Sequence, residues 1–290
     1  MAQLVEHHLA KVRVAGSNPV VRSREVDRLR GLRSQSHVSA RRPVGWWMLC
    51  GVVAAALSLA ACGGEPAHDA VVAAASDTRD AFGAVAKVLN EREGIDIGFV
   101  FGSSGLLREQ VINGAPFDVY VSANLAFVDE VIAAGAGLGE SQRAFAVGRL
   151  ALIAAPGIAL PSDLATIDDF SRLVIANPAH APYGVAAREA LTRLDLLGTI
   201  GRRLIFADNV ADAVRIVDAG EADFGIVALS LVISREHREL PTSLHEPIRQ
   251  SLVVTTRGAN NPAAARFVQF LQSSDGTSIL RRFGFTVDAP

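Results

Sequence analysis

Cysteine is nearly missing from this chain. Only Cys50 and Cys62 occur in 290 residues, and both fall in or beside the apolar stretch from Val44 to Ala61. The rest of the chain therefore has neither a disulfide framework nor a cysteine metal site. Lysine is almost as rare, two against twenty-six arginines, a bias that fits the codon usage of a GC-rich genome better than any function. Several chemical signatures are also missing. No Walker A sequence or dinucleotide fingerprint is present. Gly102-Ser103-Ser104-Gly105 fails the Gly-x-Ser-x-Gly pattern of a nucleophile elbow, and no paired base accompanies it. His68, His237 and His245 are scattered without the spacing of metal ligands. These absences argue against a nucleotide-dependent enzyme, a serine hydrolase or a zinc enzyme.

Charge is divided unevenly. Nine basic and three acidic residues precede Cys62, whereas nineteen basic and twenty-seven acidic residues follow from there, a net of −8. An acidic body of this kind is not expected to bind nucleic acid. The stretch from Val44 to Ala61 follows Arg41 and Arg42 and ends in Leu59-Ala60-Ala61-Cys62-Gly63-Gly64. A charged start, an apolar middle and a small-residue end describe a signal peptide rather than a membrane span. The ending also resembles a bacterial lipobox, which would leave Cys62 as a lipidated N-terminus. Some forty polar, Arg-rich residues in front are too many for a signal peptide. The opening, Met1 to Ser23, resembles the spurious translation of a transfer-RNA gene read on its opposite strand. Residues 1–40 are thus expected to be a spurious or non-structured extension, with initiation nearer the signal peptide, at Val38 or Val44 for example.

Half of the residues are apolar, enough for one or two domains with a real core. Beyond the tether, short strands alternate with amphipathic helices, which argues for parallel sheet and an α/β class. Strands are expected at 71–75, 95–102, 119–122, 174–176, 204–207, 224–227 and 250–255. Helices are expected at 79–92, 105–113, 125–134, 183–194, 196–202, 210–219, 262–271 and 275–283. The apolar run Phe145 to Ala155 is placed to carry the chain out of a first unit, and 250–255 to return it. That division makes 41–61 the signal peptide, 62–70 a tether, 71–146 with 251–290 one domain, and 147–250 the other. Two α/β domains joined by a double crossing leave a cleft at the carboxyl ends of their strands, where open sheets bind ligands.

Two strand-to-helix corners stand out. Val71 to Ala75 runs into Ser76-Asp77-Thr78, and Phe99 to Phe101 runs into Gly102-Ser103-Ser104-Gly105. At such corners the first helical N–H groups lack internal partners and the macrodipole is positive, so an anion can be held without a cation. Asp77 is expected to be an N-terminal carboxylate facing solvent. His180 reads as a loop residue rather than a catalyst.

Six segments together carry a resemblance. They are Ala73 to Ser76, Phe101 to Gly105, Gly114 to Val119, Asn177 to Gly184, Gly225 to Val227 and Arg282 to Phe285. In order and spacing they resemble the periplasmic molybdate-binding proteins of ABC transporters, over nearly all of residues 71–287. The resemblance implies an α/β type II periplasmic-binding fold, two domains with a central cleft and a double-crossover hinge. It implies oxyanion contacts at Ser76, Ser104, Tyr183 and Val210, which hold the metal only as part of molybdate, through its oxygens. Many relatives have alanine at the Tyr183 position, and the family's tyrosine after Gly-Ile-Val is replaced by Ala228. Ala228 and Ser230 are therefore further candidate contacts, with Tyr183 or Ser230 standing in for the lost phenol.

The function so implied is an extracytoplasmic lipoprotein, monomeric and anchored through Cys62, that captures molybdate or tungstate and delivers it to an ABC permease. No cofactor and no catalysis are expected. Alternatives are the same fold tuned to sulfate or phosphate, or a sensory ligand-binding module. If the cleft holds only donors, phosphate is disfavoured, because its hydroxyl would be buried without an acceptor.

Overall fold

The computed structural model describes residues 68–167 and 171–287. The N-terminal extension, the signal peptide, Cys62 and most of the tether lie outside the described residues.

Two five-stranded sheets organise the chain. The first has the order β2 (Ile97–Gly102), β1 (Ala70–Ala75), β3 (Val119–Ser122), β10 (Ile248–Val254) and β4 (Arg143–Gly148). Strands β1 to β3 are parallel, whereas β10 runs antiparallel to both β3 and β4. The second sheet has the order β7 (Leu204–Ala207), β6 (Leu173–Ala176), β8 (Phe224–Ala228), β5 (Leu150–Ala154) and β9 (Arg238–Glu239). Here β6 pairs in parallel with β7 and β8, and β5 pairs antiparallel with β8 and β9. Both sheets are thus mixed rather than wholly parallel, because the strand that enters each sheet from the other, β10 in the first and β5 in the second, runs against the rest.

The apolar run 145–155 is not one strand. It is split at Arg149, with β4 in the first sheet and β5 in the second. The chain re-enters the first sheet at Ile248. Both crossings fall two to three residues from the 146/147 and 250/251 borders expected above.

Strand β1 reads Ala-Val-Val-Ala-Ala-Ala and is buried on both faces, as expected of a central strand with helices on either side. Helix α1 (Arg79–Glu93) buries Ala81, Phe82, Val85 and Leu89 and ends at Gly94, whose φ of 68° no β-carbon would favour. Phe82 sits at the middle of a ring cluster with Phe99, Phe145 and Phe267. Helices α2 (Ser104–Ile112) and α3 (Leu125–Ala133) complete the first lobe before the crossing, and α7 (Pro262–Gln272) and α8 (Ser274–Arg282) close it afterwards. The second lobe carries α4 (Pro182–Arg193), the single-turn α5 (Leu197–Ile200) and α6 (Val210–Asp218). The helix expected at 196–202 is shorter, since a 3-10 turn takes over at Gly201. Asn124, Asn209 and Asn261 each accept a hydrogen bond from the first turn of the helix that follows, as good N-caps do. No described helix is long and apolar enough to cross a membrane.

Candidate functional site

Four strand-to-helix corners meet between the lobes. At the first, β1 gives way to a 3-10 turn, Ser76–Thr78, whose three residues are all buried. The Ser76 hydroxyl oxygen is reached by a long bond, 3.4 Å, from the Ala211 N–H of the opposite lobe, and its own proton stays free to donate.

At the second corner the two serines divide the work. Ser103 precedes the helix in extended conformation, and its O–H donates to the His180 carbonyl at 2.6 Å. With that proton spent, Ser103 Oγ accepts from His180 Nδ1–H at 2.8 Å, which fixes the imidazole tautomer. Gly105 N–H donates to the same His180 carbonyl at 2.9 Å. A β-carbon on Gly105 would lie only 2.8 Å from that oxygen, so the lobes approach this closely because the residue is glycine. Ser104 is the first helical residue. Its Oγ accepts from Ala123 N–H at 3.1 Å and keeps its proton for another partner. The buried Tyr120 hydroxyl holds the Ser104 carbonyl at 2.8 Å.

The other two corners belong to the second lobe. Pro182 opens α4 and Tyr183 follows it, while Asn209 caps α6 and leaves Val210 as the first helical residue. The opening N–H groups of α2, α4 and α6 have no intrahelical acceptor. Ser76, Ser104, Tyr183 and Val210 all line one small cavity, together with Asp77 and Asn209. Measured by the centre of a water-sized sphere its volume is about 10 Å³, room for about one water. A tetrahedral oxyanion is larger, so to take one in the lobes would have to stand further apart than they do here. Among the described residues no Lys, Arg or His lines the space. Any attraction for an anion here would have to come from helix N-termini and hydroxyls. A roomier hollow of about 230 Å³, which shares Ala123 and Pro182 with the cavity, is lined by Glu189 and Glu246 as well as Arg249 and is less suited to a dianion.

Asp77 does not face solvent. It is 1% exposed, because the 3-10 turn that carries it is packed beneath the second lobe instead of standing at an open helix end. Gln250 Nε2–H donates to its Oδ2 at 2.7 Å, and Ser230 O–H donates to its main-chain carbonyl at 2.7 Å. Oδ1 is buried without a hydrogen bond of normal geometry, and the Tyr183 hydroxyl is a further polar group beside the carboxyl. Burial pushes the carboxyl up from 3.8 to about 7, against the opposing pull of the nearby Tyr183 hydroxyl and Gln250 amide. The Tyr183 hydroxyl is itself buried without a hydrogen bond of normal geometry, and burial, with Asp77 beside it, drives its pKa well above the usual range. It occupies the spot where a side chain on Gly148 would begin, 2.0 Å from that β-carbon position. The phenol thus lies at the crossing between the lobes, beside Asp77 and Gln250.

Ala228 and Ser230 do not line the cavity. Ala228 is the last residue of β8 and pairs with Leu150, while Ser230 spends its proton on Asp77. Sequence reasoning missed Tyr120, Gln250 and the closing role of the His180 carbonyl. None carries a local signal, since each acts on a residue far away in the chain.

A lobed α/β fold with opposed helix N-termini defines a solute-binding class, and the comparisons agree. The family model of bacterial extracellular solute-binding proteins matches residues 70–286, and the chain belongs to that family. It is similar to the molybdate-binding protein ModA of Azotobacter vinelandii, 32% identical over 242 residues, covering 81% of this chain and 96% of the relative. Similarity to ModA of Rhodobacter capsulatus is 29% over 236 residues, covering 80% of this chain and 92% of that one. The solved periplasmic molybdate-binding protein of Azotobacter vinelandii matches with a TM-score of 0.71 at 28% identity, covering 76% of this chain and all of that one. The fold is that of the periplasmic binding proteins. These relatives are solute-binding proteins, not enzymes.

The buried acid has a consequence for stability. Its folded pKa is raised, so the native protein keeps a proton that the unfolded chain surrenders. Between about pH 4 and pH 7 this group therefore makes stability fall as pH rises, by on the order of 4 kcal/mol over the whole window, and above pH 7 its contribution is level. Urea unfolding of wild type and Asp77→Asn at pH 4.5, 6 and 8 is expected to show the variant gaining on wild type with each step. A constant difference across those pH values would contradict the buried-acid reading.

Proposed function

We propose that this chain captures molybdate, and tungstate with it, in the cleft between its lobes and delivers it to an ABC permease on the extracytoplasmic face of the membrane. What supports the reading most is the meeting of helix N-termini from both lobes at one small cavity without a cationic side chain. The printed function of the relatives, molybdate binding, points the same way. In this reading Ser76 and Ser104 offer O–H and N–H groups, and Tyr183 and Val210 offer main-chain N–H groups. All of them bond the oxygens of the anion, and none ligates the metal. Each hydrogen bond to the charged oxygens is worth about 1.5–3 kcal/mol in a dry cleft. Ala228 and Ser230 drop out of the contact set. Loading joins the lobes, and the closed shape is the signal that a permease reads. The protein acts as a monomer, because one chain supplies both halves of the site, and it carries out no catalysis.

Sulfate, also a dianion, has shorter bonds and would leave some donors beyond good hydrogen-bond reach. Titration calorimetry is expected to give molybdate and tungstate tighter than sulfate. Ser104→Ala should weaken molybdate by about 1.5–3 kcal/mol as a charged acceptor loses a donor. Tighter binding of sulfate, or unchanged affinity in Ser104→Ala, would contradict the assignment.

We also propose that Cys62 is acylated and tethers the protein to the membrane. The motif Leu59-Ala60-Ala61-Cys62 supports it. More than one acyl chain is needed for a lasting anchor, at about 0.8 kcal/mol per buried CH₂. Cys62→Ser should move the protein to the soluble fraction, and a variant that stays with the membrane through a salt wash would refute the anchor.

A further inference from the structure

Serine at the start of a helix usually turns its oxygen back to the N–H groups of the first turn. Ser103 does not. It stands immediately before α2, yet its side chain caps nothing in that helix and instead donates across the cleft to the His180 carbonyl. The same carbonyl takes the Gly105 N–H, one of the first-turn donors that the helix cannot use and that an anion would attract. One oxygen of the second lobe thus occupies two donors at the N-terminus of α2, as an oxygen of an oxyanion would.

The acceptor is held firmly. Asn177 N–H donates to the Ala207 carbonyl at the end of β7, Asn177 Oδ1 accepts from Ala179 N–H, and the Asn177 carbonyl accepts from the N–H groups of His180 and Ala181. His180 Nδ1–H then fixes Ser103 Oγ from its own side of the cleft.

Position in the sheets gives this clasp leverage. It follows β2, the edge strand of the first sheet, three strands away from β10 where the chain re-enters, or roughly 14 Å at the usual strand spacing. The bond from Ser230 to the Asp77 carbonyl lies nearer the crossing, since the adjacent Leu229 N–H donates to the Arg149 carbonyl. Rotation of the lobes about the crossing therefore stretches the clasp more than that bond. With the clasp made, the cavity keeps about 10 Å³, room for about one water, and a tetrahedral oxyanion does not fit beside it.

Resting on the oxyanion reading of the cleft, we propose that the His180 carbonyl is an internal competitor of the anion, and that Ser103 belongs to this clasp and not to the anion's donors. The clasp holds the lobes closer together than the anion does, and the anion must displace it to enter. Loading then joins the lobes through the anion at a wider spacing, so a permease meets two different shapes. Only molecules with the clasp parted can bind, and the apparent affinity is the intrinsic affinity reduced by their fraction. The two adjacent serines therefore act in opposite directions. Loss of the Ser104 hydroxyl weakens binding, whereas loss of the Ser103 hydroxyl strengthens it.

Stopped-flow and calorimetric titration of the mature protein with sodium molybdate test the competition, and small-angle X-ray scattering without added anion tests the clasp. Ser103→Ala leaves the carbonyl only the Gly105 N–H. It is expected to bind molybdate about two- to tenfold tighter than wild type, through a faster association rate. Gly105→Ala sets a β-carbon 2.8 Å from the His180 oxygen, so the clasp cannot close, and its radius of gyration without anion should exceed that of wild type. Weaker or unchanged binding by Ser103→Ala, or an unchanged association rate, would overturn the competition and leave the oxyanion reading intact. A radius of gyration in Gly105→Ala equal to that of wild type would overturn the clasp. No binding of molybdate by wild type or by Ser103→Ala would overturn the oxyanion reading and the competition with it.

Discussion

Everything in this structure depends on where unpaired main-chain N–H groups point. The first turn of any helix has donors that the helix cannot use, and α2, α4 and α6 bring theirs to one cavity from two separate sheets. The first lobe contributes Ser76 and Ser104 to the lining and the second Tyr183 and Val210, so the cavity is made by both lobes together. The contacts that bring them together fall on main-chain carbonyls. The His180 carbonyl takes bonds from Ser103 and Gly105, and the Asp77 carbonyl takes one from Ser230. A net-negative chain can hold an anion this way because the field that matters is local.

Much of the architecture was legible in the sequence because its signals are local. Buried strands such as Val71 to Ala75 contain no polar residue, helices such as Arg79 to Glu93 repeat their apolar residues at helical spacing, and asparagine or serine marks the helix starts. The corners at Ser76 and Ser104 announce themselves through hydroxyls and glycines set between strand and helix. The chain's passage from one sheet to the other was harder to place. Leu150 to Ala154 and Arg143 to Gly148 read as one apolar run, and only Arg149 betrays the change of sheet. The two-residue strand β9 has no pattern to detect.

Asp77 was misread for a physical reason. An acidic residue after a strand and before a helix ordinarily faces water, where the helix dipole favours it. Its true environment is set by Gln250, 173 residues away, and by Tyr183 and Ser230 from the other lobe. No window along the chain contains them. Tyr183 illustrates the same limit. Its main-chain N–H could be placed from the Pro-Tyr-Gly motif, but its phenol reaches a space left open by Gly148. Ser103 and Ser104, neighbours with identical side chains, also differ in role. One is spent on closing the lobes and the other keeps its proton, a distinction that only the position of His180 decides.

The central claim is that an oxyanion is held by helix N-termini from both lobes without a cation. A crystal structure of the mature protein grown with molybdate tests it most directly. The account requires anion oxygens within about 3.2 Å of the main-chain nitrogens of Ser104, Tyr183 and Val210 and of the Ser76 and Ser104 hydroxyls. An anion held by arginine side chains, or touching one lobe only, would contradict it.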